Sequence, residues 1–358
     1  MIQAQTVFVV GAGASVGFGL PLGNTLTTNI SKTLAQIGVD PGYPKLAAPP
    51  VWHGAISRSA HGEVNDYLAA ARAISRDVEL RASIDEYLRL NRDNPLIVQL
   101  GKMAIFECIL KGERVARRKL LTGAGQDTRL NMSEIRHSWY WPLWNAMSED
   151  CEKSKPEDVL RNVTFIIFNY DRCIELFLSQ AIWQTFDVPL EDAALMVARR
   201  AIHPYGDLGP VAGHDAMDFG LEDDQRLRLE HGASRLRTFF ETKDTNIETS
   251  IHREMIKARN IFFVGFGFHR QNMELLQTSP GENEDVQPMP NRQTRVYATM
   301  VDTSAEQRSR FQQRIRETIW PGHDQVYFEP PHADLSAAQV INDAHFTLTE
   351  EAARLRAG

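Results

Sequence analysis

The chain has 358 residues, 43% hydrophobic and 24% charged, and its 39 basic and 46 acidic side chains leave a formal charge of -7. That apolar share is ample for a buried core and excludes global disorder, and the length suits two domains or one enlarged α/β domain. The mild acidic balance argues against wholesale electrostatic wrapping of nucleic acid, and three scattered cysteines (Cys108, Cys151, Cys173) disfavour both a disulfide framework and a zinc ribbon.

The first ten residues carry no Lys or Arg, and the apolar run Val7 to Val10 stops in glycine, which is not how a signal peptide is built. No stretch approaches the roughly 20 apolar residues needed to cross a bilayer. A soluble, cytoplasmic protein of a reducing compartment is expected, with no membrane contact.

Residues 5 to 10 form a short β-branched run ending in Gly-Ala-Gly, as a buried parallel strand does. Pro41 to Gly54, with four prolines, reads as a loop, and residues 43 to 160 are then mostly helical in pattern. The helical stretches are Asn65 to Leu80, Ile84 to Leu90 and Ile97 to about Leu121, the last with Ile97, Leu100, Ala104, Ile105, Cys108 and Ile109 on one face. So long a connection exceeds an ordinary crossover. It is expected to be a helical insertion subdomain, 43–160, placed over a sheet built from 1–42 and 161–358.

Val163 to Phe168 is the second strand, followed by Asn169-Tyr170-Asp171 and a helical repeat of Ile174, Phe177, Leu178, Ala181 and Ile182. Ala201 to His203 suits a very short strand. Ile261 to Val264 ends in a second glycine turn, Gly265-Phe266-Gly267-Phe268. Gly281 to Asn291 reads as an acidic, Pro-rich loop. Arg295 to Val301 precedes the polar helical stretch Ser304 to Ile319, Gln325 to Phe328 suits an edge strand, and the last helix runs from about Ser336 to Arg356. Strands separated by helices imply right-handed crossovers. The expected fold class is α/β: a Rossmann-like parallel sheet with helices on both faces and a large helical insertion after the first strand.

Four places in this pattern carry chemistry. Gly11-Ala12-Gly13-Ala14-Ser15 follows a strand, where glycines let the backbone approach a phosphate and the next helix offers N–H groups. The third glycine falls one position late for G-x-G-x-x-G, and no acidic residue follows within about 20 positions, so an ordinary dehydrogenase is disfavoured. Asn169 and Asp171 stand at the carboxyl end of the second strand, where open α/β sheets place ligands, and either also suits a helix cap. His203 closes the short strand and is the one of eleven histidines whose location suits a general base. Asp302, past the Val301 strand end, suits either ribose hydroxyls or a cap on the Ser304 helix. By contrast, Glu222-Asp223-Asp224 and the basic run Arg114 to Lys119 read as solvated surface charge.

Taken in order, these pieces resemble the sirtuin-like NAD-binding family. Gly11-Ala12-Gly13-Ala14-Ser15 with Gly19-Leu20-Pro21 resembles its Gly-Ala-Gly-x-Ser-x-x-x-Gly-x-Pro signature, Phe168 to Asp171 its catalytic asparagine segment, and Gly265-Phe266-Gly267 its later glycine turn. Ser83-Ile84-Asp85 and Trp139-Tyr140-Trp141-Pro142 are similar to the bacterial anti-phage defence branch. The resemblance implies an NAD glycohydrolase that depletes NAD as substrate without a metal. Asn169, His203 and Asp171 would be catalytic, while Gly11, Ala12, Gly13, Ser15, Pro21, Asn169, Tyr205, Gly265, Gly267, Phe268 and Asp302 would bind NAD. It also implies gating by homo-oligomerisation or by a partner, either a hexameric DNA-translocase ATPase or an Argonaute-type protein. The chain departs from the family twice. It lacks the four-cysteine zinc module of protein deacylases, which disfavours deacylation, and Tyr205 precedes Gly206 where the family has histidine, with His203 two residues earlier. A module that senses NAD or ADP-ribose without turnover is the competing expectation.

Overall fold

The computed structural model describes residues 1–39, 46–58, 62–220, 229–238, 240–241, 245–277, 293–301, 303–319, 325–328 and 336–349. Six strands form one sheet: β1 (Thr6–Val10), β2 (Val163–Ile167), β3 (Ala201–Ile202), β4 (Asn260–Val264), β5 (Gln293–Ala298) and β6 (Gln325–Phe328). Every neighbouring pair is parallel, and the order is β3-β2-β1-β4-β5-β6. This is a Rossmann-like, doubly wound sheet whose strand order reverses between β1 and β4. All five residues of β1, β2 and β4 are buried, as apolar runs covered on both faces must be. Phe8 stacks between Phe165 and Phe262, with centroids 5.4 and 5.0 Å away, and Phe262 stacks on Tyr297 at 4.3 Å. One aromatic row thus ties four adjacent strands across the sheet.

The helical layer begins with α1 (Gly23–Leu34), α2 (Pro50–Arg58), α3 (Val64–Asp77), α4 (Ile84–Leu90) and α5 (Pro95–Leu120), all after β1. Asn94 starts α5 by accepting from the Leu96 and Ile97 amides, with Pro95 in the first turn. Two details differ from expectation. The stretch read as a loop to Gly54 already becomes helical at Pro50, because a proline in the first turn forfeits no helical bond. Also, α1, grouped with the sheet, packs on the insertion: Ser31 Oγ donates to the Ser75 carbonyl at 2.8 Å and Thr28 Oγ1 to Glu79 at 2.9 Å.

The remaining helices are α6 (Met132–Ile135), α7 (Tyr140–Ser148), α8 (Cys173–Phe186), α9 (Leu190–Ala198), α10 (Leu229–Arg235), α11 (Thr245–Lys257), α12 (Arg270–Leu276), α13 (Ala305–Ile319) and α14 (Ala337–Thr349). The strand expected at Arg295 to Val301 lies slightly earlier, ending at Ala298. The Gly281 to Asn291 loop, the Glu222-Asp223-Asp224 run and Asp302 lie outside the described residues. Cys108, Cys151 and Cys173 are free thiols. Among the described residues no helix is long and apolar enough to cross a membrane.

Candidate functional site

The registers of β2 and β4 on β1 bring Val10, Ile167 and Val264 level at the carboxyl edge, so Gly11, Phe168 and Gly265 leave the sheet side by side. Here, at the reversal of strand order, doubly wound folds have their crevice. The first glycine loop is a short 3-10 helix, Ala12–Phe18, closed by Gly19 in the left-handed region. Its glycines serve contact with the second glycine turn. The Gly11 amide donates to Val264 O at 3.0 Å, the Gly13 amide to Gly265 O at 2.9 Å, and the Ala14 amide turns back to Gly11 O. A Cβ on Gly11 would stand 2.5 Å from Gly265 O, and one on Gly265, where φ is +57°, would stand 2.0 Å from the Ala14 nitrogen. These glycines of the expected pyrophosphate cradle thus also serve loop-to-loop contact. The amides of Gly11 and Gly13 hold the two loops together, and only Ala12 and Gly13 of this turn reach the surface.

Side chains from other elements anchor the same loop. Ser15 Oγ donates to Asp171 Oδ1 at 2.9 Å, the Trp139 indole to Ala14 O at 3.0 Å, and Lys119 Nζ to Gly17 O at 2.9 Å. Pro21 lies against Gly112 of α5 rather than in the crevice.

The strand end after β2 is the hub of the site. Its four residues diverge: Asn169 offers its carbonyl to His203 after β3, Tyr170 reaches the insertion, Asp171 holds the glycine loop, and Arg172 enters a buried ion pair. Tyr170 donates to Asp85 at 2.9 Å. Asp85 is in the first turn of α4 because Ser83 caps that helix, accepting from the Glu86 amide at 3.2 Å. Burial pushes the Asp85 carboxyl up against the opposing bond from Tyr170. Asp171 accepts from Ser15 and also from the Cys173 amide at 3.2 Å; the N-cap of α8 is Arg172, which makes no side-chain cap bond, so Asp171 supports the helix start from one residue before the cap while tying down the loop. Burial likewise raises the Asp171 carboxyl, while these bonds oppose the shift.

Arg172 and Glu113 of α5 are 1% and 0% exposed. The guanidinium gives Nε to Oε1 at 3.0 Å and an Nη to Oε2 at 2.6 Å, and its other Nη reaches the carbonyls of Gly209, Pro210 and Met217. The Arg172 amide also donates to Glu113 Oε1, at 3.0 Å. One ion pair thus joins the strand end, the insertion and the segment after β3.

His203 and Tyr205 take different places in the turn His203-Pro204-Tyr205-Gly206, closed by the Gly206 amide on His203 O. His203 Nδ1 donates to the Asn169 carbonyl at 3.4 Å, and Nε2 donates to Glu175 Oε1 at 2.5 Å. Two acceptors require both ring nitrogens to be protonated. Burial lowers the basicity of the ring, but the Glu175 carboxylate, backed by Asp207, outweighs it and brings His203 up to about 9. The general-base role expected of His203 does not fit a ring already charged at neutral pH with both nitrogens committed. Tyr205 instead donates to Asn272 Oδ1 at 2.6 Å and lies edge-on to Phe168. His203 is the ring bonded to Asn169.

Asn169 is 5% exposed, and its Oδ1 is buried with no partner among the described residues. Of the later glycine turn, Gly267 is exposed, whereas Phe268 is 2% exposed and stacked on Phe311 at 4.9 Å. Phe268, expected among the ligand-binding residues, keeps its ring in the core and its backbone in the left-handed region, φ +50°. Sequence reasoning missed Glu113, Glu175 and Asn272 as members of this site. A carboxylate on a helix looks like surface charge until the fold buries it. The spacing Asp171 to Glu175, one helical turn, was the available signal.

A Rossmann-like α/β protein with a buried polar cluster around Asn169 at the carboxyl edge of its sheet, one strand from the switch point, is the class that fold and site define. No protein-family model matches the chain, and no curated protein matches it.

Proposed function

We propose that this protein is an NAD glycohydrolase that converts NAD and water to nicotinamide, ADP-ribose and a proton. The observation that carries the reading is Asn169: a carboxamide oxygen buried without a partner among the described residues, just past the carboxyl end of β2. A buried acceptor left open this way costs stability unless water or a ligand completes it. The order of the glycine turns and the asparagine segment supplies the substrate class through the sirtuin-like resemblance.

The chemistry asks little of a base. Nicotinamide leaves a pyridinium as a neutral molecule, and the demand falls on an oxocarbenium-like sugar. Asn169 Oδ1 orients the attacking water or a ribose hydroxyl, and the exposed turn at Ala12 and Gly13, after the neighbouring strand β1, is the place for the phosphates. By the same resemblance, the biological role is NAD depletion in anti-phage defence, gated by self-assembly or by a translocase ATPase or Argonaute-type partner. A second reading, ligand sensing without turnover, is favoured by the commitment of both His203 nitrogens.

Mass spectrometry of NAD incubated with the purified protein, alone and with its genomic-neighbour partner, separates the two. Nicotinamide release that is lost in Asn169→Ala supports the hydrolase. Unaltered NAD in every mixture, or release undiminished in Asn169→Ala, refutes it.

A further inference from the structure

Glu175 is absent from every motif discussed above, yet it touches the ring that holds the Asn169 carbonyl. It is 8% exposed and uses a single oxygen, on His203 Nε2, while its Oε2 has no partner. His203 in turn holds the Asn169 backbone carbonyl. Nothing holds the Asn169 carboxamide oxygen itself, so the direction of that group depends on how firmly its backbone is fixed.

We propose that Glu175 is a positioning residue for the glycohydrolase reaction: by clamping the His203 ring it fixes the backbone of Asn169 and thereby the direction of the Asn169 carboxamide at the carboxyl edge of the sheet. This rests on the glycohydrolase reading. The clamp spans three elements, since Glu175 is on α8, His203 follows β3 and Asn169 follows β2. The ionisable groups facing the pair are Asp207 after β3, Arg172 at the start of α8, Cys173 on α8 and Tyr140 on α7. Cys173 and Tyr140 are held neutral by burial, the Arg172 cation is paired with Glu113, and Asp207 adds to Glu175 in favouring the charged ring.

Two substitutions separate position from charge. In Glu175→Gln the carboxamide still reaches Nε2: it donates its N–H to a neutral ring whose Nδ1–H stays on Asn169, so the clamp survives without its charge. In Glu175→Leu nothing holds Nε2. Misplacement of a reacting group by about 1 Å costs on the order of 10²-fold in rate. Glu175→Leu is therefore expected to lower kcat by about that factor with KM for NAD unchanged, while Glu175→Gln stays within about tenfold of wild type. Thermal melting confirms that each variant is folded.

Equal losses in both variants would assign the effect to charge and overturn the proposal, as would wild-type kcat in Glu175→Leu. Ring nitrogen NMR of the full-length protein is independent of activity. The clamp requires His203 to be doubly protonated in the wild type at pH 7.5 and neutral in Glu175→Gln; a neutral ring in the wild type refutes it. A wild type that cleaves no NAD under any condition sinks the glycohydrolase reading and the positioning role with it, while the NMR still decides whether the clamp exists.

Discussion

Removing the positive charge of Arg172, as in Arg172→Leu, tests the tie that joins insertion, strand end and the segment after β3. The side chain makes two charged bonds to Glu113 and three contacts to carbonyls, all from a position 1% exposed. After the substitution Glu113, 0% exposed, keeps only the amides of residue 172 at 3.0 Å and Gly220 at 3.4 Å. A buried carboxylate stripped of its counter-ion costs about 3–5 kcal/mol, a large part of a typical total of about 5–15 kcal/mol. Urea unfolding followed by circular dichroism should show the midpoint falling by about 1–2 M at unchanged slope. The double variant Glu113→Leu/Arg172→Leu removes both charges. It should recover at least about 1 kcal/mol over the single substitution, because no orphan charge is left, although three carbonyls still lack their donor. The reasoning is refuted if Arg172→Leu costs less than about 1 kcal/mol, or if the double variant costs the sum of the two singles.

Gly265→Ala should destabilise by at least about 2 kcal/mol, since left-handed backbone alone costs a Cβ-bearing residue about 1–2 kcal/mol and this Cβ would meet the Ala14 nitrogen at 2.0 Å. Gly17→Ala, with nothing within 4 Å, is the control and should melt like wild type. The folded-state value of about 9 for His203, above its ordinary 6.5, means that the pair contributes its full stability below pH 6.5 and loses it as pH rises through about 9. The gap is worth about 3 kcal/mol. Melting temperature should therefore fall between pH 7 and 9.5 in the wild type, and far less in Glu175→Gln; equal falls would refute the assignment. Tyr170→Phe removes the only bond drawn between Asn169's neighbour and Asp85, and calorimetry should register a loss of about 1–3 kcal/mol.

The amino-acid sequence alone determined the parallel α/β architecture, because three fully apolar runs, each ending in a turn or polar segment, admit little else. It also located the carboxyl edge of the sheet and the long helical insertion, and it singled out Asn169, Asp171, His203 and the glycine turns. What those groups do was decided only by the tertiary structure. Glycines suited to a phosphate look the same in sequence as glycines that let two loops touch, and only the tertiary structure shows that Gly13 stands against Gly265. The charge on His203 depends on Glu175, 28 residues away, and the fate of Asp171 on Ser15, 156 residues away. Local pattern fixes periodicity and turn chemistry, but burial and charge pairing depend on which distant segments meet, and that is set by the registers of β2 and β4 on β1.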